Sequence, residues 1–253
     1  KEYRRQRQMC IRDRCNNMSQ YVLGDLHGRA PALIDILYKS NFDKNKDTLI
    51  VLGDIVDGYP WAHECFDILL TIKNKIICLG NHCSWFYNWT QTGQEPPVWV
   101  HQGGYATMRS YDFDYHNVPQ SHINLIKNAH TYYIDSKNNI YCHGGFNPKF
   151  PITSQTREFI TWDRTLCKYV HDRWIQKNPA RIEPYNHVFL GHTSTMIFHS
   201  TRPLIMGNVI MMDTGGGDIG KLSIMNTETL EWWQSDKKSS AKTDFLCMRR
   251  GKY

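Results

Sequence analysis

Five short apolar runs in this 253-residue chain each lead into a cluster of metal-ligand side chains: Gly24-Asp25-Leu26-His27-Gly28, Gly53-Asp54-Ile55-Val56-Asp57-Gly58, Gly80-Asn81-His82, His143-Gly144-Gly145 and Gly191-His192-Thr193. Carboxylate, imidazole and amide donors together suit two hard-to-borderline cations about 3.5–4 Å apart, bridged by a carboxylate. Asp25 and His27 can address one ion, since Gly24 and Gly28 let the backbone turn closely around it. Asp54 is the natural bridge, and Asn81, through its side-chain oxygen, would complete the second ion with His143 and His192. A lone Asp-x-His is more often a capped turn. Repetition in this order is what points to a two-metal centre, a device suited to hydrolysing phosphate esters.

The runs that carry these loops define the scaffold. Residues 21–23, 48–52, 75–79, 139–142, 186–190 and 209–212 read as short buried strands, and 222–225 and 230–233 as further strands of alternating or aromatic character. Residues 32–38 read as a helix with Pro31 in its first turn, and 64–72 and 121–128 as two more. Alternating strand and helix indicates a layered α/β fold. The chemistry falls in loops just past strand ends, where open α/β sheets place their ligands.

A hydrophobic fraction of 41% and a charged fraction of 21% fit one globular domain, expected over residues 18–235. No apolar run approaches the roughly 18–20 residues of a membrane span, and no apolar stretch of signal-peptide length follows the basic start, so a cytoplasmic location is the simplest expectation. Residues 1–17 are charged and aperiodic and are expected to be a non-native or disordered leader; Met9-Cys10-Ile11-Arg12-Asp13 resembles a translated sequencing-adaptor end. A helical leader docked on the domain is the competing expectation. Residues 236–253 are expected to form a basic flexible tail.

Each of these terminal segments holds six Lys/Arg against two acids, so together they carry +8 of a net +6 and leave the body at −2. A specific nucleic-acid face on the domain is therefore not expected. The eight cysteines include no CxxC pair, which favours reduced, buried thiols over a disulfide framework.

With these motifs in order, the chain resembles the calcineurin-like metallophosphoesterases, and more narrowly the bacterial and phage form of the phosphoprotein phosphatase branch. The resemblance runs from about Gln20 to Ser235 and takes in His101-Gln102-Gly103-Gly104-Tyr105-Ala106-Thr107, the stretch from His143 to Pro148, Trp162-Asp163-Arg164 and Asp213-Thr214-Gly215. It implies an α/β sandwich of two central mixed β-sheets flanked by helices, with two divalent ions, manganese expected and iron or zinc possible, where the sheets meet at one edge. It also implies in-line attack on phosphorus by a metal-bridging hydroxide. His82 would be the acid for the leaving oxygen, with Asp57 orienting its ring. Nuclease and cyclic-nucleotide branches carry Gly-His-x-His at the last motif, whereas Ser194 stands there in this chain, which favours the phosphatase branch.

Arg164 is the best candidate for a phosphate clamp, since a guanidinium offers paired donors to two oxygens; a surface ion pair with Asp163 is the plain alternative. The chain departs from the family pattern at Gly58 and Leu79, where arginine is usual, and at Cys83, where glutamate is common. Lost charged hydrogen bonds weaken the grip on phosphate by about 1.5–3 kcal/mol each. Arg29 is either a compensating phosphate ligand or a solvated loop residue, and Cys83 either a redox-sensitive or a space-filling thiol. Trp85, Trp89, Trp99 and Tyr105 either wall a substrate cleft or pack in the core, and Gly215-Gly216-Gly217 reads as a turn.

The expected activity is hydrolysis of phosphomonoesters, with phosphoserine or phosphothreonine proteins or small phosphoesters as substrates. The alternatives are a dinucleoside tetraphosphate hydrolase and a metal-loaded phospho-binding module. The module is disfavoured because a binder has no use for the His82 and Asp57 pair.

Overall fold

The computed structural model describes residues 18–236. The expected leader at 1–17, and the tail beyond Asp236, lie outside the described residues.

Two five-stranded mixed sheets stack face to face, as the resemblance implies. The first runs in the order β10-β9-β1-β2-β3, with β1 (Gln20–Leu23), β2 (Thr48–Val51) and β3 (Asn74–Ile77) parallel and β9 (Ser223–Asn226) and β10 (Trp232–Gln234) closing one edge antiparallel. The second runs β4-β5-β6-β8-β7, where β5 (Ile140–Cys142), β6 (Val188–Leu190) and β8 (Val209–Met211) are parallel and β4 (Tyr132–Ile134) and β7 (Leu204–Met206) are antiparallel edges.

The period of two along each strand explains why these segments are apolar throughout. Val22, Ile50 and Leu52 of the first sheet meet Tyr141, Phe189, Ile210 and Met212 of the second, forming the seam between them. Their neighbours face outward under helices. Leu23, Leu49 and Val51 pack beneath α1 (Ala30–Lys39), α2 (Ala62–Thr71) and α3 (Asn81–Thr92). Cys142, Val188 and Met211 pack beneath α6 (Arg157–Trp162) and α7 (Thr165–Ile175). Two further helices, α4 (Tyr105–Ser110) and α5 (Gln120–Lys127), cover the first sheet's outer layer.

The five cysteines among the described residues, at 65, 78, 83, 142 and 167, are all buried and free, in keeping with structural thiols. Among the described residues no helix is long and apolar enough to cross a membrane.

Candidate metal centre

All six parallel strands point their C-terminal ends at one rim of the sandwich. Asp25 lies two residues past β1, Asp54 three past β2, Asn81 opens α3 after β3, His143 follows β5 directly and His192 lies two past β6. The candidate donor atoms of Asp25, His27 and Asp54 lie within 4.8 Å of one another, and so do those of Asp54, His143 and His192. Asp54 therefore belongs to both triads. Asn81 Oδ1 lies 2.9 Å from His143 Nε2 and joins the second group.

Backbone geometry is bent to achieve this. His27, Asp54, Asp57 and His192 take φ of 49°, 42°, 72° and 59°, a left-handed region that non-glycine residues enter at a cost and that concentrates at functional sites. Gly80 has a different task. A Cβ there would stand 2.0 Å from Asp54 Oδ1 and 2.5 Å from its backbone nitrogen, so only glycine lets the third loop close on the shared carboxylate. Gly80→Ala is expected to displace Asp54 and to lower divalent-ion content while the melting temperature changes less than for a core truncation; elemental analysis beside a thermal melt checks this.

Outer contacts fix which ring edge each histidine presents. His143 Nδ1 donates to the Leu52 carbonyl at 2.8 Å, leaving Nε2 aimed at Asn81 and at Asp54 Oδ2, 3.1 Å away. His192 Nε2 meets the Trp162 carbonyl at 3.2 Å, which leaves Nδ1 for the site. Such backbone anchors set the tautomer of a ligating imidazole. Burial and the neighbouring His143 and Arg164 hold His192 down to about 3, and burial likewise lowers His27, which favours the neutral, lone-pair-bearing form of both rings.

Charge balance among the carboxylates shows whether cations fit. Asp25, Asp54 and Asp213 are all buried here. Burial, then Asp213, then Asp54, push the Asp25 carboxyl well above its usual range even though two bonds from the His192 amide, at 3.1 and 3.0 Å, oppose this. Burial also raises Asp54, but the surrounding His143, His82 and His27 outweigh it and hold that carboxyl below the ordinary range. A buried cluster of acids needs compensating positive charge, and two divalent cations fit the donor set and the charge together.

His82 Nδ1 lies 2.7 Å from Asp57 Oδ2. Asp57 is wholly buried and also accepts from Trp99 Nε1 at 2.8 Å and from Thr107 Oγ1 at 2.6 Å. Burial opposes charge on His82, but Asp54 and Asp57 outweigh it, so the ring's pKa is raised. Burial pushes Asp57 up as well, with the three donors working against that.

Arg164 Nη1 donates to the His192 carbonyl at 2.7 Å, which places the guanidinium at the rim of the second triad. It does not pair with Asp163, whose carboxylate instead caps α7 through the amides of Thr165 and Leu166.

Several residues behave otherwise than their sequence context suggests. Arg29 is neither a phosphate ligand nor solvated: it is buried, donates to the carbonyls of Gly216 and Gly220 and lies over the Tyr59 ring, bracing the glycine turn. Trp89 and Trp99 are core residues and Tyr105 is exposed against Phe113, whereas Trp85 does line a cleft. Cys83 is a buried thiol that accepts from the Ile55 amide. Thr107 and Asp213 fall within the motifs of the resemblance, and Trp99 within the aromatic stretch, but none of the three is read there as touching the site; for Asp213 the further signal is its place two residues past a sixth parallel strand, β8.

Two triads sharing one carboxylate, at the rim of a two-sheet α/β sandwich, define the class: a metal-dependent phosphoesterase. The family model for calcineurin-like phosphoesterases matches residues 18–204, and the chain belongs to that family.

Among curated relatives it is similar to the symmetrical bis(5'-nucleosyl)-tetraphosphatase of Vibrio vulnificus (strain CMCP6), 38% identical over 66 residues, or 26% of this chain and 24% of that one. The match thus spans about a quarter of the relative's length. Among solved structures it is similar to a protein provisionally described as a diadenosine tetraphosphatase, at a TM-score of 0.63 and 16% identity over 87% of this chain and 94% of that one. A protein serine/threonine phosphatase from Saccharomyces cerevisiae follows at 0.54 and 16%, over 84% and 74%. At those identities the likeness is one of fold.

Proposed function

We propose that this chain is a dinuclear phosphomonoesterase in which Asp25, His27, Asp54, Asn81, His143 and His192 hold two divalent ions, manganese first among the candidates. The observation that carries this is Asp54's membership of both donor triads. Ions bound there supply Lewis acidity and an ionised water at neutral pH. The protein's own groups supply the rest. With Nδ1 occupied by Asp57, His82 has Nε2 free to protonate the leaving oxygen, and the Asp57 carboxylate favours the imidazolium form that this needs. Arg164 steadies the phosphoryl oxygens from the rim. Arg164→Ala is expected to raise KM for a phosphomonoester about tenfold, since a charge-assisted hydrogen bond contributes about 1.5–3 kcal/mol; steady-state kinetics at saturating manganese checks it.

Phosphoserine and phosphothreonine proteins are the leading substrate class. A second reading, dinucleoside tetraphosphate hydrolysis, is favoured by a cleft of about 810 Å³ lined by Trp85, Phe159, Trp162 and Arg164. Trp85 abuts His82 with ring centroids 5.1 Å apart and Trp162 at 5.3 Å, an aromatic wall on which a base can stack. The test is a panel of p-nitrophenyl phosphate, a phosphoserine peptide and diadenosine tetraphosphate, each with manganese. Preference for the peptide supports the first reading and preference for the dinucleotide the second. No hydrolysis of any of them by metal-loaded protein rejects both.

A further inference from the structure

A second group of ligand-type side chains lies on the outer helical layer, on elements that contribute nothing to the rim. His63 and Asp67 are one turn apart on α2, and His122 reaches them from α5. Their donor atoms lie within 4.8 Å of one another. His63 Nδ1 stands 3.0 Å from Asp67 Oδ2, and His122 Nε2 stands 3.1 Å from Asp67 Oδ1.

We propose that His63, Asp67 and His122 form a separate site for a single borderline divalent cation, zinc in the first instance. Zinc–nitrogen bonds of about 2.0–2.1 Å in a tetrahedron put neighbouring donors about 3.3 Å apart. Each imidazole nitrogen already stands within a few tenths of an ångström of that from one Asp67 oxygen, His63 Nδ1 from Oδ2 and His122 Nε2 from Oδ1, so closure on one ion needs a turn of the carboxylate. Two imidazoles and one carboxylate are the donors zinc accepts, and the set leaves a coordination position for water.

The surroundings bury one member and leave the others partly exposed. His122 is buried, its ring stacked on Phe66 with centroids 4.9 Å apart, and its Nδ1 lies 3.0 Å from the Tyr111 hydroxyl. That hydroxyl serves both states of the ring. Without an ion, Nε2–H donates to Asp67 and Tyr111 donates to Nδ1. With an ion, the proton sits on Nδ1 and is donated to the Tyr111 oxygen, freeing the Nε2 lone pair; no net proton leaves His122. The His63 and Asp67 side chains, 38% and 56% exposed, can rotate onto the ion from the solvent side. An ion there would cross-link α2 to α5 and so stabilise the folded chain by an amount that grows with the logarithm of the free ion concentration above the dissociation constant.

The experiment compares full-length wild type with His63→Ala and Asp67→Asn after equilibration with zinc alone and desalting. Wild type is expected to retain one more zinc per chain than either variant, and zinc is expected to raise its melting temperature further than theirs. Cobalt in place of zinc is expected to give wild type a four-coordinate visible absorption component that His63→Ala lacks. Equal zinc contents and equal cobalt spectra in the three proteins would overturn the proposal and leave a His–Asp–His hydrogen-bond bridge between the helices. The readout is a difference between proteins, so loss of the rim centre would lower all three contents without changing it.

Discussion

His82→Asn is expected to lower kcat by about 10²–10⁴-fold, the usual contribution of a positioned general acid, while the ion content of the protein stays at the wild-type value. The side chain sits beside the triads without belonging to either; its backbone amide, which the substitution retains, donates to Asp54 Oδ1 at 3.0 Å. Kinetics on a phosphomonoester, with elemental analysis of the same sample, separates loss of the acid from loss of the ions. Near-normal turnover in this variant would remove His82 from the mechanism.

A companion substitution gives the sign of the pH dependence. A general acid must be protonated, so activity falls as pH rises through its pKa. Burial lowers that pKa in His82, while the carboxylates of Asp54 and Asp57 raise it by more. Asp57→Asn removes one of them, so the descending limb of the kcat/KM profile is expected to move to lower pH. A limb that stays in place would show that another group sets it.

Asp54→Asn is expected to abolish turnover by another route. Asp54 is common to both triads, and an amide in its place lacks the charge by which the proposed centre would hold either cation. Single changes behind a metal site cost about 10–100-fold in affinity, and a shared ligand is expected to cost at least the upper figure. Titration with manganese under calorimetry checks it. Retention of two tight ions would remove Asp54 as the ligand shared between them, and fewer than two ions in the wild-type protein would sink the two-metal reading.

How far the molecule is legible from its residues alone depends on which constraint each residue answers to. The six candidate ligands stand out because five apolar strands in succession each run into a carboxylate, imidazole or amide within four residues, a recurrence that turn formation by itself does not require. The parallel strands are visible because burial on both faces makes them apolar throughout, as in Leu49-Ile50-Val51. Helix α3 is not visible. It begins on the Asn81-His82 motif itself, is polar and aromatic in mixed order, and is held by packing of Cys83, Phe86 and Trp89 and by a left-handed Gly93 cap. Helix α7 is hidden likewise, its buried Leu166, Cys167 and Val170 interleaved with charged residues. Edge strands β4 and β7, three residues each, carry too short a pattern to register.

Arg29 shows the opposite failure. Its position beside the first motif suggests chemistry, yet tertiary structure turns it inward, with Nε buried and without a hydrogen-bond partner among the described residues while the terminal nitrogens hold the glycine turn. Trp99 and Thr107 illustrate a third case, because the contact that matters, with Asp57, spans 42 and 50 residues, and no local pattern encodes it.

The strand order of the first sheet carries a consequence for assembly during synthesis. β1, which leads into Asp25 and His27, has β2 on one side and β9 on the other, and β9 begins only at Ser223. A ribosome that has released the chain as far as His192 has made every candidate ligand, but has left the other flank of β1 as a bare edge with unpaired amides and carbonyls. A chain lacking Ser223–Asn226 would carry the full candidate ligand set beside an open sheet edge, the kind of edge on which another chain can pair.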